Sequence, residues 1–326
     1  MNKALTIAFV LAAVAGCKKK AAESTDTKGS ATVTAPADAA AVAVAVAPAW
    51  DGKSALSITE GFATPESVLY DPDADVYLVA NINGTPLDAD DNGYITKVSP
   101  DGKITEAKWI DGSKDTVKLD APKGMAIANG FLYVSDINVV RKFDMKTGES
   151  KGEIKVEGAT FLNDLANAPD GGIYVTDSGL DAKFSGTGTD AVYVIGKDDK
   201  LKTLIKDKAL AAPNGAVGGD NGAVWIVTFG SGEIYAVDAK GKKAPGQKLP
   251  KGQNDGVVAL SGGEFLVSSW EGSAIYRGKP GGEWKPVVEN VKSPADIGYD
   301  SKRHRILIPV FQGNAVIIQP VQPATP

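Results

Sequence analysis

Short apolar runs rich in β-branched and aromatic residues recur along the chain, separated by polar and turn-forming residues. Six of them form a series: Val76-Tyr77-Leu78-Val79, Phe131-Leu132-Tyr133-Val134, Ile173-Tyr174-Val175, Val224-Trp225-Ile226-Val227, Phe265-Leu266-Val267 and Ile306-Leu307-Ile308. Their composition predicts strands. Upstream of each stands a corner: Pro65-Glu66, Pro122-Lys123, Leu162-Asn163, Pro213-Asn214, Asn254-Asp255 and Pro294-Ala295. The corners step by 57, 40, 51, 41 and 40 residues, each within reach of one four-stranded blade. Turn residues fill the gap between corner and strand, as in Asp71-Pro72-Asp73, Pro169-Asp170-Gly171-Gly172 and Gly218-Gly219-Asp220-Asn221-Gly222. A third strand follows in each unit, for example Ile234-Tyr235-Ala236-Val237 and Ala274-Ile275-Tyr276-Arg277. The fourth is weaker, as an outer, half-exposed edge should be.

Closure gives an independent check. The sixth unit has its third strand at Ala315 to Ile318 and then only a Pro-rich tail, 320–326. Its missing outer strand is available at Ala55-Leu56-Ser57-Ile58, ahead of the first corner. The fold predicted is all-β, a six-bladed β-propeller over 51–319 with an N-terminal strand closing the last blade. A sandwich or jelly roll explains the strands but not the sixfold spacing.

In a propeller the inner strands start near the axis, so the corners converge there. Taken in order they bring Glu66, Lys123, Asn163, Asn214, Asp255 and Ala295 around one channel. Asn and Asp favour turns anyway. Glu66 and Lys123 do not, and five polar side chains at equivalent offsets point to a site. Carboxylate and amide oxygens in a ring are what a hard divalent cation, Ca²⁺ above all, requires.

The corners Pro65-Glu66-Ser67-Val68, Leu162-Asn163-Asp164, Pro213-Asn214-Gly215 and Asn254-Asp255-Gly256 resemble those of the senescence marker protein, gluconolactonase and luciferin-regenerating enzyme family. The likeness spans most of 55–318. It implies a central divalent metal held by Glu66, Asn214 and Asp255, with Asn163 on the substrate side, and hydrolysis of a lactone or ester. Paraoxonases, related calcium-dependent lactonases, use similar corners and add the neighbouring acidic positions, occupied here by Asp164 and Asn254. The cation would polarise the carbonyl and acidify a bound water, which the catalytic Asp255 would orient or deprotonate. The pattern also departs from the family. Phe161 stands where sugar-lactone members carry an arginine, which argues against a sugar acid lactone. Lys123 enters the ring on the substrate side. Its ammonium either escapes to the channel mouth, competes with a metal beside Glu66, or meets an anionic ligand or oxyanion. A propeller amended in this way alternatively keeps the scaffold without the reaction and binds a protein, glycan or small ligand at the envelope.

Other residues narrow the chemistry. Asp88-Ala89-Asp90-Asp91-Asn92-Gly93 has the alternate oxygens and sixth-position glycine of a calcium loop. Ser99 replaces the closing glutamate, so Asp88, Asp90 and Asn92 form either a second calcium loop or a solvated acidic loop. His304 is the single histidine and falls in the charged turn Asp300-Ser301-Lys302-Arg303-His304. That leaves no Ser-His-Asp triad, histidine dyad or multi-histidine zinc or haem site. Trp270-Glu271-Gly272 follows a second strand and either packs the rim or touches a ligand.

The first fifty residues have a different character. Lys3 and the apolar run Ala4 to Ala15 read as a secretory signal, too short to span a bilayer as a helix. Val14-Ala15-Gly16-Cys17 resembles the lipobox of bacterial lipoproteins. It implies a signal peptide over 1–16 and acylation of Cys17, the chain's one cysteine. From there to residue 50, Ala, Thr, Val and Pro dominate and predict a flexible tether. The expected location is the bacterial cell envelope by a lipid anchor in the membrane. Lys18 after Cys17 favours the outer membrane by resemblance to lipoprotein sorting rules. Beyond residue 50 the chain holds 30 basic and 37 acidic residues, which excludes a nucleic-acid surface.

Overall fold

The computed structural model describes residues 50–323. The signal, Cys17 and almost all of the tether lie outside these residues. The first described strand is β1 (Leu56–Ile58), and the described strands together form six four-stranded antiparallel sheets. Blade one comprises β2 (Pro65–Asp71), β3 (Val76–Asn81), β4 (Tyr94–Val98) and β5 (Ile104–Asp111). Blade two comprises β6 (Pro122–Ala128), β7 (Phe131–Asp136), β8 (Val139–Asp144) and β9 (Ser150–Lys155). Blade three comprises β10 (Leu162–Asn167), β11 (Ile173–Asp177), β12 (Ala191–Ile195) and β13 (Leu201–Lys206). Blade four comprises β14 (Pro213–Gly218), β15 (Val224–Thr228), β16 (Glu233–Val237) and β17 (Gln247–Lys248). Blade five comprises β18 (Asn254–Ala259), β19 (Phe265–Ser269), β20 (Ala274–Gly278) and β21 (Trp284–Glu289). Blade six comprises β22 (Gly298–Asp300), β23 (Arg305–Val310), β24 (Ala315–Pro320) and, last, β1.

Every strand expected from the apolar runs is present, and so is the closure. Leu56 pairs with Ile318 and Ile58 with Val316, so the ring closes on its own first strand. Burial falls outward along each blade. The second strand β7 is buried almost throughout, whereas β9 is exposed along most of its length. The apolar core is correspondingly a ring of six clusters, one between each pair of neighbouring blades. Tyr77 and Leu307 share the cluster that joins blades one and six. Each blade therefore depends on its neighbours to bury a face, the usual energetics of a repeat array.

Candidate functional site

The inner strands are not regular where they reach the axis. Their register slips between Pro65 and Ser67, Pro122 and Met125, Leu162 and Leu165, Pro213 and Ala216, and Asn254 and Val257. A bulge of this kind re-aims one side chain out of the sheet's alternation. The side chains so re-aimed are Glu66, Lys123, Asn163, Asn214 and Asp255. In blade six the isolated bridge of Pro294 to Val310 precedes β22, and Ala295 takes the equivalent place.

Neighbouring blades hold these corners rigidly. Hydroxyls on the second strand of one blade donate to the corner carbonyl of the next: Ser135 to Asn163, Thr176 to Asn214 (2.8 Å) and Ser268 to Ala295 (2.8 Å). Carboxylates at the strand ends accept the backbone N–H groups just before the corners. Asp136 takes those of Asp120 and Ala121, and Asp177 takes that of Phe161 at 3.0 Å. Thr64, Ala212, Gln253 and Ser293, each two residues before an axial residue, adopt positive φ. Left-handed backbone at non-glycine positions costs energy that the surrounding hydrogen bonds must offset.

Five of the six axial residues, all but Ala295, line one cavity of about 30 Å³. Four of its oxygens, Glu66 Oε2, Asn163 Oδ1, Asn214 Oδ1 and Asp255 Oδ1, are buried without a hydrogen-bond partner. Buried polar atoms are nearly always paired, so four orphans on one cavity ask for a ligand. Asn163 is oriented for this, because its amide nitrogen donates to Ser178 Oγ at 3.1 Å and leaves the oxygen to the cavity. Burial pushes the carboxyl groups of Glu66 and Asp255 well above the usual range, and neighbouring carboxylates push them further. A hard cation is the partner that would satisfy both the oxygens and the charge. Among the described residues no three His, Cys, Asp or Glu side chains gather as a metal cluster. The set here mixes two carboxylates with two amide oxygens, a composition that suits calcium better than zinc.

Lys123 does not escape to the channel mouth. It is 1% exposed, and its Nζ donates to Pro86 O (2.8 Å) and Ala121 O (3.0 Å) while lying over the Phe161 ring. Burial brings its pKa down to about 8, with Glu66 resisting the shift. The ammonium thus has backbone carbonyls of its own at the cavity wall. Asp164 and Asn254, the two corner neighbours, also differ. Asp164 accepts the N–H groups of Leu165 and Ala216, both at 2.6 Å. Asn254 is fully buried, and its side-chain amide lacks a partner. In the acidic loop, Asn92 Nδ2 donates to Asp90 Oδ2 at 2.6 Å, and Asp88 is exposed.

Of what lies above the cavity, sequence reasoning singled out Trp270 and Phe161 but missed the crescent that they form with three further rings. Phe161, Phe184, Phe229, Trp270 and Phe311 follow one another around the channel mouth, with successive ring centroids 6.1, 6.3, 5.6 and 5.1 Å apart. Phe229, Trp270 and Phe311 directly follow the second strands of consecutive blades. A constant offset of 15 or 16 residues from Asn214, Asp255 and Ala295 was the available signal. Phe184 comes from the loop after β11, held by Asp181, whose carboxylate accepts the N–H groups of Lys183 and Ser185. Trp270 Nε1 is buried without a partner close to Asp255.

No protein-family model and no curated protein sequence matches this chain. Solved structures do. A putative gluconolactonase is 18% identical, with 82% of this chain and 92% of that one covered and a TM-score of 0.63. A gluconolactonase from Xanthomonas campestris is 19% identical, with 82% and 90% covered and a TM-score of 0.63. A catalytically inactive virginiamycin B lyase from Staphylococcus aureus, solved with quinupristin, is 15% identical, with 82% and 99% covered and a TM-score of 0.56. At these identities the likeness is one of fold: the chain is a six-bladed β-propeller, and its fold is similar to those of gluconolactonases and streptogramin lyases.

Proposed function

We propose that this chain is a divalent-metal-dependent hydrolase of lactones or esters, held at the bacterial envelope by a lipid on Cys17. The observation that carries the reading is the set of four unpartnered oxygens, from four different blades, around one cavity of about 30 Å³. Glu66, Asn214 and Asp255 would hold the cation, for which calcium fits the oxygen set best. Once bound, such an ion supplies Lewis acidity toward a carbonyl oxygen. Asn163 Oδ1 accepts one hydrogen of an attacking water and orients it. Asp255 takes the other as a general base. Lys123 spends two of its three donors on Pro86 and Ala121, leaving the third for a developing oxyanion.

The lyase likeness is the weaker guide to chemistry. The inactive lyase variant is a histidine-to-alanine change, and the one histidine here, His304, bonds Tyr299 at the far end of β23 from the cavity. Thermal unfolding with added Ca²⁺, followed by a lactone and ester panel with and without chelator, tests the proposal. The expected result is a raised Tm and turnover that chelation abolishes. Stabilisation by metal without turnover would leave a propeller that binds an envelope partner. Absence of both effects would overturn the metal site itself.

A further inference from the structure

The cavity at the axis is about 30 Å³, room for an ion or a group the size of a water molecule. The bulk of any organic ligand must therefore lie above it, against the aromatic crescent. The residues lining the cavity divide sharply in this respect. The polar ones are all on the axis, and the rest are apolar: the aromatic rings together with Ile82, Pro86 and Leu180. Phe184, Phe229, Trp270 and Phe311 are only half-buried, so part of each ring still faces the mouth. Trp270 Nε1 is the crescent's unused donor.

We propose that the crescent sets the ligand class: a lactone or ester bearing an alkyl or aryl group, its carbonyl over the axial oxygens and its apolar group along Phe229, Trp270 and Phe311. This rests on the hydrolase reading above and narrows it. An apolar group leaving water for ring faces gains burial along its whole length. A polyhydroxylated ring in the same place loses its water hydrogen bonds and finds almost no donors or acceptors in return. Phe161, in place of a charged side chain, continues the same surface inward and is already used by the Lys123 ammonium. Trp270 Nε1, buried beside Asp255, is the one donor that the crescent carries.

Two measurements separate failure of this inference from failure of the hydrolase reading. In the first, kcat/KM is measured with Ca²⁺ on γ-lactones with tails from methyl to hexyl and on a polyhydroxylated γ-lactone. Rates should rise by about fourfold per methylene until the crescent is covered. The polyhydroxylated compound should be about 100-fold slower or worse. Phe229→Ala and Phe311→Ala should flatten the tail dependence to under about twofold per methylene. Equal or faster turnover of the polyhydroxylated lactone, or an unchanged tail dependence in both variants, would overturn the ligand class while leaving the hydrolase standing. In the second, binding of a hexyl γ-lactam is followed by the fluorescence component lost in Trp270→Phe. Saturable quenching by the lactam and none by the polyol supports the class even if no lactone is turned over. No quenching by the lactam, in chain that still melts cooperatively, refutes it.

Discussion

The two ends of the channel are lined by the same six inner strands, one residue out of step, and they treat polar atoms in opposite ways. At the end that carries the aromatic crescent, the cavity end, Glu66, Asn163, Asn214 and Asp255 leave an oxygen each without a partner. One residue further along lie Ser67, Asp164 and Asp296, facing a wider opening of about 400 Å³. There the carboxylates are occupied. Asp164 accepts two backbone N–H groups, and Asp296 accepts Ser67 Oγ at 2.5 Å. Glycines at the same level let the strands approach, for a Cβ on Gly215 would sit 2.2 Å from Asp255 O. Satisfied polar atoms and close backbone contact are how a strand ring is fastened. Unsatisfied ones a single residue away are how it presents a ligand site. Partner status, more than polarity or burial, separates the two layers.

The sharpest way to break this contrast is Asp255→Asn. It should cut kcat/KM on the best lactone by about 10²–10⁴-fold and abolish stabilisation by Ca²⁺, without lowering the metal-free Tm. Near-normal turnover would make the cavity layer as structural as the other.

The next effect is on pH. Burial pushes the Asp296 carboxyl up to about 7, against about 4 in the unfolded chain. The folded chain thus keeps a proton that the unfolded chain releases. Its stabilising contribution is full below about pH 4 and declines as pH rises to about 7, by roughly 4 kcal/mol at most. Glu66, Asp164 and Asp255 shift in the same direction. Urea unfolding in chelator from pH 4 to 8 should show the decline, and Asp296→Asn should reduce it while keeping an acceptor for Ser67. Stability that rises over that interval would contradict the sign.

Asp164→Ala should then cost about 3 kcal/mol, because two buried N–H groups lose their acceptor. Denaturant midpoints measure this directly, and a neutral outcome would erase the distinction between the layers. The smallest effect concerns Lys123→Met, which removes a cation near Glu66. Calcium affinity by calorimetry should tighten about tenfold. Unchanged affinity would mean that the carbonyls of Pro86 and Ala121 already screen the ammonium.

The architecture was legible because its signal is redundant. Six strands such as Phe131–Val134 repeat one pattern, and Ala55–Ile58 supplied the strand that the last blade lacked. The axial set was legible through its offset from those strands, which the bulges preserve. Of the aromatic crescent only Trp270 and Phe161 drew notice, since Phe184 sits in a loop of no fixed length and Phe229 and Phe311 lie just past the apolar runs. The fate of Lys123 was equally hidden. Its acceptor, Pro86 O, belongs to the loop between β3 and β4, and no spacing rule announces that a distant backbone carbonyl will reach the axis. Asp296 was overlooked for a related reason, because the neighbouring Ala295 makes the sixth corner look chemically silent.

Closure by β1 also has a consequence for biosynthesis. Among the described strands, Leu56–Ile58 leaves the ribosome first, and its partner, Ala315–Pro320, leaves last. The earliest-made ladder waits unpaired through nearly the whole of translation, and the circle snaps shut in one late step. In the finished protein the same clasp is the first ladder to bear load when tension is applied at Trp50. Mechanical opening should accordingly begin there and run into blade six.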